Sequence, residues 1–175
     1  QAPRFNDDDR KYLLETDWRG RSLDSRFEEL MGRYNSQFKF LWAAWRANVP
    51  TDWGIDLTDG PASELPSLAP AKACAVAAKL RTRWHLENGR PKEAAEDFLA
   101  VLTLARRVSD DQLLISCLVQ IAMENILCSG LAEEFHRWPS EALRTIREGL
   151  RSAPPRGQIA ACVGSERKAF YGWFV

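Results

Sequence analysis

From Leu23 to Trp45 the apolar positions recur every three or four residues: Leu23, Phe27, Leu30, Met31, Tyr34, Phe38, Leu41, Trp42 and Trp45. A period near 3.6 places them on one face of a cylinder, so the spacing predicts an amphipathic helix of about six turns. Ser22, Asp24 and Ser25 supply cap chemistry ahead of it, and the pattern stops near Asn48, before Pro50. A shorter helix carrying Tyr12, Leu13 and Leu14 is expected earlier, with Asp7 or Asp8 as its cap.

The pattern is helical again beyond residue 70. Residues 71–88 carry Ala73, Val76, Ala77, Leu80 and Trp84 on one face and stop at Asn88-Gly89. Pro91 opens the next helix, where its missing N–H costs nothing, and Arg106 and Arg107 close it with favourable charge. Asp110 and Asp111 are placed to cap a third helix, apolar around most of its circumference and therefore central. Pro139 starts a fourth, closed by Pro154-Pro155, and residues 157–175 are expected to add a last one.

Residues 49–70 break the period. Four prolines and two glycines forbid a continuous helix there, and Asp59-Gly60-Pro61 reads as a tight turn. Trp53, Ile55, Leu57, Leu65 and Leu68 favour a loop pinned onto the helices over a free linker. The fold expected is all-α and a single domain over residues 1–175: N-terminal helices to residue 48, the packed loop 49–70, and helical hairpins over 71–175.

Composition narrows the function classes. With 45% hydrophobic and 27% charged residues, the chain is neither disordered nor collagen-like. The 24 basic and 24 acidic side chains cancel, so no excess charge is available to grip phosphates, and nucleic acid is not expected as a partner. No unbroken run approaches the ~18 apolar residues of a membrane span. Cys74, Cys117, Cys128 and Cys162 form no C-x-x-C pair and read as small buried thiols, with a bridge such as Cys74–Cys117 across packed helices as the alternative. Cys117 and Cys128 stand about 16 Å apart on one helix, too far to bridge each other. No cofactor and no metal site is expected.

Arg90-Pro91-Lys92-Glu93-Ala94 aligns with Trp138-Pro139-Ser140-Glu141-Ala142 at an offset of 48 residues, and Phe98 and Leu102 then fall on Ile146 and Leu150. Two hairpins, each a helix followed by a Pro-led helix, are the unit of a helical solenoid. Gly89, Ala94 and Phe98 give the first hairpin a resemblance to tetratricopeptide repeats, matching that family's turn glycine, small second-helix residue and packing aromatic. It departs from the family at Thr82 and His85, and in its period, which in the family is about 34 residues. The resemblance implies helical hairpins stacked in a right-handed array. The stretches DWGIDLTDGP, LPSLAPAKACA, AEDFLAVLTLARR and LLISCLVQIAMENIL, with eighteen Arg against six Lys, resemble uncharacterised helical proteins of planctomycete- and acidobacteria-type bacteria. Many of these are exported, which implies a periplasmic or otherwise exported protein, with a cytoplasmic one as the alternative. Gln1 in place of Met fits removal of a leader.

Ser116, Gln120 and Glu124 form a thin polar stripe at four-residue steps on the central helix. Such a stripe can line a groove, with Glu124 facing Lys79, Arg81 or Arg83 of the helix before. In the loop, Asp52, Asp56 and Asp59 offer oxygens and Trp53 an aromatic wall, without the spacing of an EF-hand. His85 and His136 have no nucleophile in a recognisable motif and read as structural. Glu166-Arg167 is read as docking the C-terminal helix or joining a groove. Seven tryptophans, and the apolar ending Phe170, Tyr171, Trp173, Phe174 and Val175, leave surface to be covered by the chain or a partner.

Two readings follow. The first is a non-catalytic scaffold that holds a protein or peptide in a groove lined by Lys79, Arg83, Glu87, Ser116, Gln120 and Glu124. The second is a small-molecule or glycan-binding or hydrolytic protein, with an acid-lined pocket beneath the 49–70 loop built from Trp53, Asp56, Glu124 and Glu166.

Overall fold

The computed structural model describes residues 7–16, 18, 21, 23–60 and 63–174. Within these residues the chain is all-helical: α1 (Asp7–Glu15), α2 (Ser25–Ala47), α3 (Leu68–Glu87), α4 (Pro91–Val108), α5 (Leu114–Glu133), α6 (Ser140–Ser152) and α7 (Ile159–Phe174). Short 3-10 turns at Ser109–Asp111 and Phe135–Arg137 flank α5.

The ends of these helices follow local chemistry. Asp24 caps α2, its Oδ1 accepting from the Phe27 N–H at 3.0 Å; Ser22 lies outside the described residues. Asn48 closes α2 in the left-handed region at φ 46°. Gly89, at φ 66°, turns the chain between α3 and α4, and Pro91 occupies the first turn of α4. Pro139 stands one step earlier in its helix, as the N-cap of α6. The two Pro-led helices are therefore matched but not identical in their starts.

α4 is the centre of the stack, packing against α2, α3, α5 and α6, while α3 also packs on α5, and α5 on α7. Phe27, Leu30, Met31 and Phe38 of α2 are buried, and Leu41, Trp42 and Trp45 close over the same core. Phe40, on the other face, is exposed, and the side chain of Tyr34 lies outside the description. The aligned repeat positions behave alike up to a point: Ala94 and Ala142, and Phe98 and Ile146, are buried, but Leu102 is buried and Leu150 exposed. The loop before α3 is pinned as its apolar content predicts. The Trp53 indole Nε1 donates to the Arg107 carbonyl at 2.8 Å, and the Thr51 N–H to Asp110 at 3.3 Å.

Close helix contacts rest on small residues. A Cβ added at Gly149 of α6 would overlap both terminal methyls of Leu99 on α4. Alanine gains about 1 kcal/mol in helix propensity over glycine, but overpacking a dense core costs about 1–3 kcal/mol. Gly149→Ala is therefore expected to lower stability by about 1 kcal/mol in urea unfolding. In a Leu99→Ala background, where the overlap is gone, the same change is expected to stabilise.

Candidate functional site

α5 buries a polar stripe beside apolar residues, with Cys117, Met123 and Leu127 also facing the core. Its polar residues Ser116, Gln120 and Glu124 are buried, at 0, 1 and 3% exposure, while Ile115, Leu118 and Ile121 are 46–47% exposed. Burying these polar groups is possible because each is satisfied inside. Ser116 Oγ donates to Asp111 at 2.6 Å, and Asp111 also accepts from the Leu113 N–H at 2.9 Å. Gln120 accepts from the Gly157 N–H at 3.0 Å and donates to Glu124 at 3.2 Å. Glu124 accepts from Arg106 Nε at 3.2 Å and from Arg156. Burial on its own would raise the Glu124 pKa; the hydrogen bonds and charge of Arg156, with Arg106 and Gln120, outweigh it and hold the carboxyl below its ordinary value. The expectation that Glu124 faces Lys79, Arg81 or Arg83 is corrected: its cations come from α4 and from the link between α6 and α7. The stripe is structural in its contacts because its partners arrive from segments distant in sequence.

The other three predicted groove residues lie elsewhere. α1 closes over α3 and α5 to leave a groove of about 390 Å³, with Val76, Leu80 and Ile126 among its apolar walls and Lys79, Arg83 and Glu133 among its charged ones. Lys79 Nζ donates to Glu133 at 2.7 Å. Gly130 lets α3 approach, since a Cβ there would come within 2.8 Å of Lys79 Cγ. Arg83 donates to Glu87 at 3.0 Å, lies 3.4 Å from Glu134, and holds the Trp18 and Arg21 carbonyls. Glu87 also takes Arg137 at 2.9 Å. Lys79, Arg83 and Glu87 thus share one edge of α3, apart from the Ser116–Gln120–Glu124 stripe.

The groove continues into apolar surface. On α5, Ile115, Leu118, Ala122, Ile126, Ser129 and Glu133 follow at three- and four-residue steps and form one stripe. Its C-terminal half lines the groove, and its N-terminal half is the exposed apolar row. α7 runs antiparallel to α5, with Glu166 accepting from the Leu114 N–H at 2.7 Å. That register sets Ile159 and Val163, both 48% exposed, level with the first turns of α5. Tyr171 is exposed further along; the side chains of Trp173 and Phe174, and Val175 as a whole, lie outside the described residues.

Trp53, Asp56, Glu124 and Glu166 do not share a pocket. Asp56 is exposed and accepts from the Thr58 N–H at 2.9 Å, a bond that lowers its pKa. Glu166 serves the α5 N-terminus, and Glu124 its arginines. The hollow beneath the loop, about 370 Å³, is lined instead by Asp52, Asp110 and Asp111 around Trp53. Among the described residues no three His, Cys, Asp or Glu side chains are grouped to hold a metal ion.

One buried constellation escaped the sequence reading. Arg81 and Asp97, both fully buried, pair at 2.9 Å between α3 and α4. Trp42 Nε1 donates to Asp97 at 2.9 Å, and Arg81 also reaches the Met31 carbonyl and Asn35 and stacks over Phe38. His85 stands 3.3 Å from Asp97 in the same core, whereas His136 is exposed on a turn. The available signal was Asp97 itself, an acid that falls at three- and four-residue steps on the same helical face as the buried Ala94 and Val101. By length and composition α5 is long and apolar enough to cross a membrane; here it packs against α3, α4 and α7. Comparison with protein-family models, with curated protein sequences and with solved structures finds no match.

Proposed function

We propose that this protein is a non-catalytic binding module that holds an apolar protein or peptide segment against the α1–α3–α5–α7 side of a helical stack. In this reading the helices form tetratricopeptide-like hairpins in a right-handed array, with α3 and α5 as first helices and α4 and α6 as second ones. Part of the packing supports it: α3 packs on α4 and α5, and α4 on α6, as successive hairpins do, although α5 and α6 touch each other little. One observation carries the proposal, namely the exposed apolar row of α5 that runs into the groove. A helix that buries Gln120 and Glu124 while presenting Ile115, Leu118 and Ile121 to solvent forgoes the hydrophobic gain of burying three large side chains. Exposed apolar surface contiguous with a groove is what a docking site requires.

The partner's apolar residues would rest on Leu118, Ile121 and Val163, and its polar end would meet Lys79 and Glu133. The ion pairs already made by Lys79 and Arg83 leave charge to set register, with affinity coming from the apolar row. Selection from a displayed peptide library is expected to enrich peptides with apolar residues at helical or alternating spacing. Leu118→Arg and Ile121→Glu, exposed positions whose change leaves the core intact, should each weaken the selected peptides by about tenfold or more. Arg144→Glu, on exposed α6 surface, should leave them unchanged. Selected peptides that bind all these variants equally, or no enrichment, would overturn the proposal.

A further inference from the structure

The seam between α5 and α7 contains two thiols that no part of the docking surface uses. Cys117 on α5 is fully buried, and Cys162 on α7 is 1% exposed. Three contacts set the antiparallel register of this seam. The Gly157 N–H donates to Gln120 at 3.0 Å, the Leu114 N–H to Glu166 at 2.7 Å, and Ser165 Oγ to Gln112 at 2.8 Å. Cys117 and Cys162 lie between the Gly157–Gln120 and Leu114–Glu166 bonds, at matching positions on the two helices. Burial, then the facing Cys117 thiol and the Asp111 and Glu166 carboxylates, push Cys162 up to about 11. Cys162 therefore rests as a protonated thiol.

We propose that Cys117 and Cys162 form a reversible disulfide that staples α7 to α5. The oxidant class is a small-molecule disulfide. One cysteine loses its proton and attacks a sulfur of the reagent, whose S–S bond breaks and releases one thiolate. The second cysteine, deprotonated in turn, attacks the protein-bound sulfur, closing the Cys117–Cys162 bond and releasing the second thiolate. Two protein thiols are oxidised, one small disulfide is reduced to two thiols, and the two protons pass to the departing thiolates.

The same geometry sets the rate. Neither thiol is accessible while α7 is docked, and α5 is the principal packing partner of α7. Lifting α7 thus exposes both thiols without opening the α3–α4 core, a local rather than global event. Once the bridge closes, that motion is abolished. The remaining cysteines are not competitors inside the seam. Cys74 is on α3, its thiol pushed up to about 11 by burial, and Cys128 is exposed eleven residues along α5 from Cys117.

The test uses the full chain carrying Cys128→Ser, so that the exposed thiol cannot link two molecules. It is incubated natively with oxidised glutathione, quenched in acid, alkylated and mapped without reduction. The expected product is lighter by two hydrogen atoms and yields one linked peptide pair containing Cys117 and Cys162. Glu166→Gln, which weakens the α7 dock, should speed closure by about tenfold. Hydrogen exchange of α7 should be slower in the oxidised protein than in the reduced one. Cys117→Ser/Cys162→Ser, close to isosteric, should fold alike and show no dependence of α7 exchange on oxidant. Separate alkylation of Cys117 and Cys162 after prolonged exposure, a link through Cys74, or closure as fast in wild type as in Glu166→Gln would overturn the proposal.

Discussion

Asp97→Ala is expected to lower the unfolding free energy by about 3–5 kcal/mol, the range for removing one member of a buried ion pair. The cost comes from what is left behind. Arg81 is fully buried, and burial already pushes its pKa down, with Asp97 as the charge that supports it. Without that carboxylate its guanidinium keeps only the Met31 carbonyl, Asn35 and the Phe38 ring, and the Trp42 indole N–H loses its acceptor. An apolar replacement of both partners, Arg81→Met with Asp97→Leu, should recover most of the loss, since a buried pair is often matched by well-packed hydrophobes. Urea unfolding of the two single variants and the double gives the coupling energy, and Trp42 fluorescence should shift with Asp97→Ala. A single-variant loss below about 1 kcal/mol would mean the pair is not buried as described.

Glu124→Gln should cost less, about 2 kcal/mol, because Arg156 is two-thirds exposed and water screens its contribution. The larger interest is its pH dependence. The Glu124 pKa is depressed in the fold, so its stabilisation is present above the unfolded-state value and is lost as pH falls through the folded one. Asp111 has the opposite sign. Burial first, then the charges of Asp110 and Glu166, raise its pKa, so its stabilisation is present below the unfolded value and is lost as pH rises through the raised one. Acid unfolding of the wild type should therefore combine a loss from Glu124 with a partial gain from Asp111. Glu124→Gln should flatten the decline through the carboxylate range, and Asp111→Asn should steepen it. Unfolding midpoints measured through that range check both signs.

These sites show what could be read in advance. Several helix ends were legible, because a turn is settled by neighbours in sequence: Asp24 reaches Phe27, Asn88-Gly89 turns the chain, and Pro91 begins the next helix. The pinned loop was legible too, since Trp53 and its apolar neighbours need cover. The groove residues were legible only in part. Lys79, Arg83 and Glu87 do share an edge, for they are one turn apart on α3, but Ser116, Gln120 and Glu124 belong to a different environment.

The all-α class, the order of the helices and several of their limits were determined by the sequence itself, through a 3.6-residue period; α3, however, starts at Leu68 inside the stretch read as loop, and Leu113, not Asp110 or Asp111, is the N-cap of α5. Which side of α5 faces inward was decided by the tertiary structure alone. α5 is apolar around most of its circumference, so its period does not choose between burying Glu124 and burying Ile115, Leu118 and Ile121; the protein buries Glu124. Arg106 and Arg156, eighteen positions before and thirty-two after Glu124, arrive to neutralise it. Arg81 and Asp97, sixteen apart, do the same for each other between α3 and α4. Burial of a charge depends on a partner brought by the packing of other helices, and no periodicity within one helix encodes that meeting.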